Sequence, residues 1–130
     1  MKILIVTPAP PGSRKGNRVT AMRWRRILRE LGHAVAVAGE FRRQQPDLLV
    51  ALHARRSAAS LARFAAAHPE RPAVLALTGT DLYQDIHVDP GAQQSLELVD
   101  RFVVLQALGP ASLPERFRDR ARVIYQSIVP

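Results

Sequence analysis

Short apolar runs separated by longer amphipathic segments recur along the whole chain. Ile3–Val6 is continuously apolar, and so are Ala34–Ala38, Leu48–Leu52 (opened by Pro46-Asp47) and Ala73–Leu77. Phe102–Leu105 and Arg122–Tyr125 follow the same pattern. Continuous runs of this length, rather than strict alternation, predict strands covered on both faces. The segments between them have helical periodicity. Val19–Leu31 carries Met22, Ile27, Leu28 and Leu31, and Gly32 follows at the position where helices stop. Ser57–Ala67 is alanine-rich, with Leu61 and Phe64 at helical spacing. Pro90–Val99 begins with a proline suited to a first turn, and Asp89 precedes it as a cap. A further helical turn is predicted near Leu113–Phe117. Strands alternating with helices predict βαβ units with right-handed crossovers. The expected fold is therefore α/β, a doubly wound parallel sheet, with residues 1–130 forming one domain. Its last residues, Ser127–Pro130, read as the start of a linker.

Composition narrows the class. At 130 residues and 47% hydrophobic content, the chain can bury a core, and disorder is excluded as its global state. Aromatic residues are few, so Val, Leu, Ile and Ala must build that core. The absence of cysteine removes disulfides, thiolate metal sites and cysteine nucleophiles, and fits a reducing compartment. The amino-terminal apolar run is too short for a signal-peptide core, and nothing approaches a membrane span. The expected setting is cytoplasmic, with no membrane partner. The net charge of +8 points to anionic partners. It is concentrated in one window, where Arg14, Lys15, Arg18, Arg23, Arg25, Arg26 and Arg29 are countered only by Glu30. No interleaved aromatics and no recognised nucleic-acid module accompany it, so nucleic acid is not the expected partner.

Three loops carry candidate chemistry, because ligands in doubly wound sheets sit beyond the carboxyl ends of the strands. The first is Thr7–Asn17. Gly12 and Gly16 allow close backbone approach, and Ser13, Arg14, Lys15, Asn17 and Arg18 supply polar and cationic groups. The helix that follows presents free N–H groups and the positive end of its dipole. The spacing matches neither GxGxxG nor GxxxxGK[ST], and a solvated turn is the alternative reading. The second loop follows the fourth strand. Thr78, Gly79, Thr80 and Asp81 there suit sugar hydroxyls or phosphate, or the capping of a helix. The third is Leu52–Ser57, where His53 ends a strand and Arg55 and Arg56 enter a helix. His53 reads either as a group lining the cleft or as a packed strand-end residue. Tyr125, with Gln126 and Ser127, ends the last strand at the same edge. His33, His68 and His87 share no metal-ligand spacing, and no metal or other cofactor is expected.

The segments "VTPAPPGSRKGNRVTAMRW", "LLVALHARRSAASL", "LALTGTDLYQD", "FVVLQALG" and "RVIYQS" resemble, in order and spacing, the amino-terminal half of the selenosugar synthases, within the two-domain GT-B-like glycosyltransferases. The resemblance runs from about Ile3 to Ser127. "TGTD" supports the broad fold, and "PGSRKGNR" with "HARRS" narrows the family. The resemblance implies a Rossmann-like acceptor-side domain, with the carboxyl-terminal donor-binding domain absent and the isolated fragment inactive. It implies that selenium of selenophosphate is joined to the anomeric carbon of a UDP-N-acetyl sugar, with UDP leaving, in selenoneine-type biosynthesis. Lys15 and Arg18 would bind phosphoryl oxygens, and Gly12 and Gly16 would bring backbone N–H groups close. Ser13, Arg14, Asn17, Arg55 and Tyr125 would add ligand contacts. His53, Thr78, Gly79, Thr80 and Asp81 would line the cleft, with His53 and Asp81 as candidate catalytic groups. The alternatives are a glycosyltransferase half with an oxygen acceptor and a non-catalytic phosphate-binding module.

Overall fold

A computed structural model describes residues 1–8, 16–77, 84–105 and 109–124. Six parallel strands form one sheet in the order β2-β1-β3-β4-β5-β6. They are β1 (Lys2–Val6), β2 (Ala34–Ala38), β3 (Leu48–Leu52), β4 (Ala73–Leu77), β5 (Arg101–Val104) and β6 (Ala121–Val123). The helices are α1 (Gly16–Glu30), α2 (Ala58–Ala67), α3 (Ile86–Val88), α4 (Pro90–Leu98) and α5 (Gly109–Ser112), with a 3₁₀ helix over Glu115–Arg120. This is a Rossmann-like α/β fold, as the strand–helix alternation predicts.

The two faces of the sheet build separate cores, which explains the unbroken apolar runs. Along β1, Leu4 and Val6 face one core, whereas Ile3 and Ile5 face the other. The larger core joins Leu49, Ala51, Leu75, Leu77, Phe102 and Val104 to Leu61 and Phe64 of α2, Leu96 of α4, and Phe117 of the 3₁₀ helix. Phe41, in the β2–β3 connection, meets Phe64 edge-on with ring centroids 5.4 Å apart. Its N–H donates to Ser60 Oγ at 3.0 Å, so α2 holds that connection in place. The smaller core packs Ala21, Trp24 and Leu28 of α1 against Ile3, Ile5, Val35, Val50 and Leu52. Among the described residues, α1 is the only helix contributing to this core, and its strand contacts are with β1 and β2. On β5 the pattern accordingly changes to exposed Arg101, buried Phe102, half-buried Val103 and buried Val104. Phe102 and Val104 enter the larger core, whereas Val103 is only partly covered against the smaller one.

Helix ends follow the chemistry of the sequence. Gly32 has φ +97°, its N–H donates to Arg29 O at 3.0 Å, and His33 N–H donates to Leu28 O at 3.1 Å. This pair of reversed bonds is a Schellman ending, which glycine adopts without a Cβ penalty. Asp89 caps α4 by accepting Ala92 N–H at 2.8 Å, with Pro90 in the first turn. Elsewhere the structure adjusts the expected boundaries. Helix α1 begins three residues earlier than its apolar pattern, because its first turn carries Gly16, Asn17 and Arg18 rather than core residues. The turn expected at Leu113–Phe117 resolves into α5 and the 3₁₀ helix, with Pro114 separating them. Ser57 stands before α2 but does not cap it. Its Oγ donates instead to Leu52 O at 2.5 Å, closing the exit from β3.

Candidate functional site at the carboxyl edge of the sheet

Strands β1 and β3 are hydrogen-bonded neighbours, and their crossovers leave in opposite directions. The connection from β1 leads to α1 on one face, and the connection from β3 leads to α2 on the other. A crevice at the carboxyl ends of such a pair is the topological switch point where α/β sheets take their ligands. The last registered pair is Val6–Ala51. The next positions, Thr7 and Pro8 on one side and Leu52 and His53 on the other, therefore form the rim.

Thr7 extends the β1–β2 pairing by donating its N–H to Ala38 O at 2.9 Å. The residue is fully buried, and its Oγ1 has no hydrogen-bond partner among the described residues. A buried hydroxyl without a partner costs about 1–3 kcal/mol, so its presence at the rim of the crevice asks for an explanation. The opposite side of the rim holds the clearest cluster of chemistry among the described residues. His53 leaves β3 with φ 78°, the left-handed region that a residue with a Cβ rarely occupies. Its backbone is held at both ends: its N–H donates to Ala76 O at 3.0 Å, and its carbonyl accepts Ser57 N–H at 3.0 Å. The turn folds the imidazole back over the chain, where Nδ1 accepts Arg56 N–H at 3.1 Å. With Nδ1 acting as acceptor, the neutral ring carries its proton on Nε2. Nε2 faces Oδ2 of Asp85 at 3.6 Å, and both side chains are buried.

Asp85 comes from the wide helical turn leading into α3, after β4. Its backbone is helical and its carboxylate caps nothing. The same Oδ2 accepts Arg55 Nε at 3.2 Å. Arg55 is half exposed, so a buried carboxylate anchors one end of a guanidinium that opens to solvent. Helix α4 supports the arrangement from below, where Ser95 Oγ donates to Ala54 O at 2.7 Å. His53 and Arg55, leaving β3, and Asp85, in the segment after β4, are thus brought together, with the His53 backbone held by hydrogen bonds to Ala76 and Ser57.

His53 and Arg55 both face the same Asp85 oxygen. Gly16, Asn17 and Arg18 lie in the first turn of α1, with Arg18 half-buried. Gly12, Ser13, Arg14 and Lys15 lie outside the described residues, as do Thr78, Gly79, Thr80, Asp81 and Tyr125. Asp85 and Thr7 belong to the crevice although sequence reasoning did not select them as site residues. Asp85 closes the "TGTDLYQD" stretch, so its signal was a second acid four residues after Asp81. Thr7 was the first residue of the opening loop, masked by the glycines and cations that follow. Among the described residues no group of three or more metal-ligating side chains is clustered, and no helix is long and apolar enough to cross a membrane.

Fold and crevice together define a Rossmann-like α/β domain whose switch point carries an arginine–aspartate–histidine cluster. No family model matches the chain, and no curated protein matches it.

Proposed function

We propose that this chain is the acceptor-side domain of a GT-B-like glycosyltransferase of the selenosugar synthase type. The observation that carries the reading is the switch point between β1 and β3, with the Arg55–Asp85–His53 cluster at its β3 rim. Its support from sequence is the ordered set of segments from Ile3 to Ser127. The acceptor would be selenophosphate, a compact oxyanion suited to cations and backbone N–H groups. Its selenium lone pair forms the bond to the anomeric carbon of a UDP-N-acetyl sugar, and the C–O bond to UDP breaks with its electron pair leaving on the diphosphate. Hydrolysis then removes the phosphoryl group. Lys15 and Arg18 hold phosphoryl oxygens, with Gly12, Ser13, Arg14, Gly16 and Asn17 around them. Thr78, Gly79, Thr80 and Asp81 would line the cleft, and Tyr125 would add a ligand contact. His53, whose Nδ1 accepts the Arg56 backbone N–H, and Asp81 would be the catalytic groups of the cleft. The sugar nucleotide is bound mainly by a second domain, and the enzyme works in the cytoplasm.

Two experiments test this. Calorimetric titration of the chain with selenophosphate under anaerobic conditions should show binding. The Lys15→Ala/Arg18→Ala double variant should lose it while still unfolding cooperatively; unchanged binding removes the reading. The full coding sequence, expressed and supplied with selenophosphate and UDP-N-acetylglucosamine, should yield a selenosugar by mass spectrometry. Transfer to an oxygen acceptor in its place would assign the fold to an ordinary glycosyltransferase.

A further inference from the structure

We infer that Asp85 is a positioning residue that aims Arg55 into the crevice, so that the β3 wall supplies a second, independent grip on a tetrahedral oxyanion. The inference rests on the reading of the crevice as an anion site and names a part of it outside the glycine-rich loop. The geometry is specific. Asp85 Oδ2 takes the Nε–H of Arg55 at 3.2 Å, the side of the guanidinium nearest its own stem. Among the described residues nothing bonds the two terminal nitrogens, and the side chain is 45% exposed against 12% for Asp85. A guanidinium tethered at Nε presents its remaining N–H groups as a planar fork, the shape that matches two oxygens of a phosphate-class anion. Holding a long side chain in one orientation before the ligand arrives removes part of the entropy lost on binding.

Arg56 provides the internal contrast. It is exposed on the next residue of the same turn, with no carboxylate holding its side chain among the described residues. Its backbone N–H serves His53 Nδ1. Two adjacent arginines of equal charge thus differ in whether a buried acid orients them. His53 completes the design, because its Nε2 faces the same Oδ2 and walls the carboxylate off on the other side.

The sign of the effect makes the inference testable. By Coulomb attraction alone, removing the negative charge of Asp85 beside an anion site should strengthen anion binding. If Asp85 acts by orienting Arg55, removing it should weaken binding. Inorganic phosphate is the probe, titrated calorimetrically into the chain at low ionic strength. Asp85→Asn should weaken phosphate binding about tenfold, the size of one oriented hydrogen bond to a charged group. Arg55→Ala should weaken it as much or more, Arg55→Lys should fail to restore it, and Arg56→Ala should cause only a small loss that added salt erases. In the parent protein, the Arg55 Nε–H resonance should shift on adding phosphate. Equal or tighter binding by Asp85→Asn overturns the inference, as does an Arg55→Ala loss no larger than that of Arg56→Ala. If Asp85→Asn loses cooperative unfolding, the comparison of Arg55→Lys with Arg56→Lys decides: equal affinities overturn the inference. Failure here is distinct from failure of the loop. If phosphate binding survives Lys15→Ala/Arg18→Ala but not Arg55→Ala, the β3 grip stands and the loop assignment falls; the reverse pattern removes the β3 grip alone.

Discussion

Arg55 and Asp85 are thirty residues apart in sequence, yet the Nε of one lies 3.2 Å from the Oδ2 of the other. They meet because β3 and β4 are adjacent and parallel, so the chain segments leaving both strands emerge at one edge. The carboxylate also faces His53 Nε2, so one buried oxygen organises a cation and an imidazole together. Asp85→Ala should therefore loosen the β3 exit as well as Arg55. The expected outcome is a loss of about 1–3 kcal/mol by denaturant unfolding, because His53 Nε2–H and Arg55 Nε–H both lose the oxygen they face. A change under 0.5 kcal/mol would show that the cluster contributes nothing to folding.

The backbone of His53 predicts an ordered series. At φ 78° a Cβ is costly, and glycine and asparagine tolerate the region best. His53→Ala keeps the cost and loses the Nδ1 acceptor for Arg56 N–H, so it should be the least stable variant, by about 1–2 kcal/mol. His53→Gly should lie above it, since relief of strain offsets the lost acceptor. Melting curves of the two variants check the order. Alanine at least as stable as glycine would mean that the left-handed turn is not held in solution.

Thr7 separates stability from function. Among the described residues its buried Oγ1 has no partner, so Thr7→Val should raise stability by about 1 kcal/mol. If the hydroxyl meets ligand in the crevice, the same variant should bind phosphate more weakly than the parent. Denaturation and phosphate titration on one preparation read both effects. A destabilised Thr7→Val would mean that the hydroxyl is satisfied by a group outside the described residues.

Two helix ends give controls away from the crevice. Gly32→Ala, at φ +97°, should cost about 1 kcal/mol or more. Asp89→Ala should cost about 1 kcal/mol through the lost cap on Ala92 N–H. Neither should change phosphate affinity, and circular dichroism melts with calorimetry decide both points.

Much of the fold was legible in the sequence. Because a parallel strand is covered on both sides, its run is continuously apolar, and β2, β3 and β4 coincide with their runs residue for residue. Glycine at 32 and aspartate at 89 marked helix ends by local stereochemistry, which needs no neighbour. The carboxyl edge was legible as a place, because strand–loop–helix order alone says where ligands sit in such sheets. Tertiary structure decided the strand order, the unequal coverage of the two faces of β5 and the partnership inside the crevice. No local pattern relates Arg55 to Asp85, since that contact exists only once β3 and β4 pair in register. Nor does any local rule put a histidine at positive φ; the bonds to Ala76, Ser57 and Arg56 impose that conformation. Propensity and periodicity act between near neighbours, whereas this crevice is assembled from residues that only the pairing of the strands brings together.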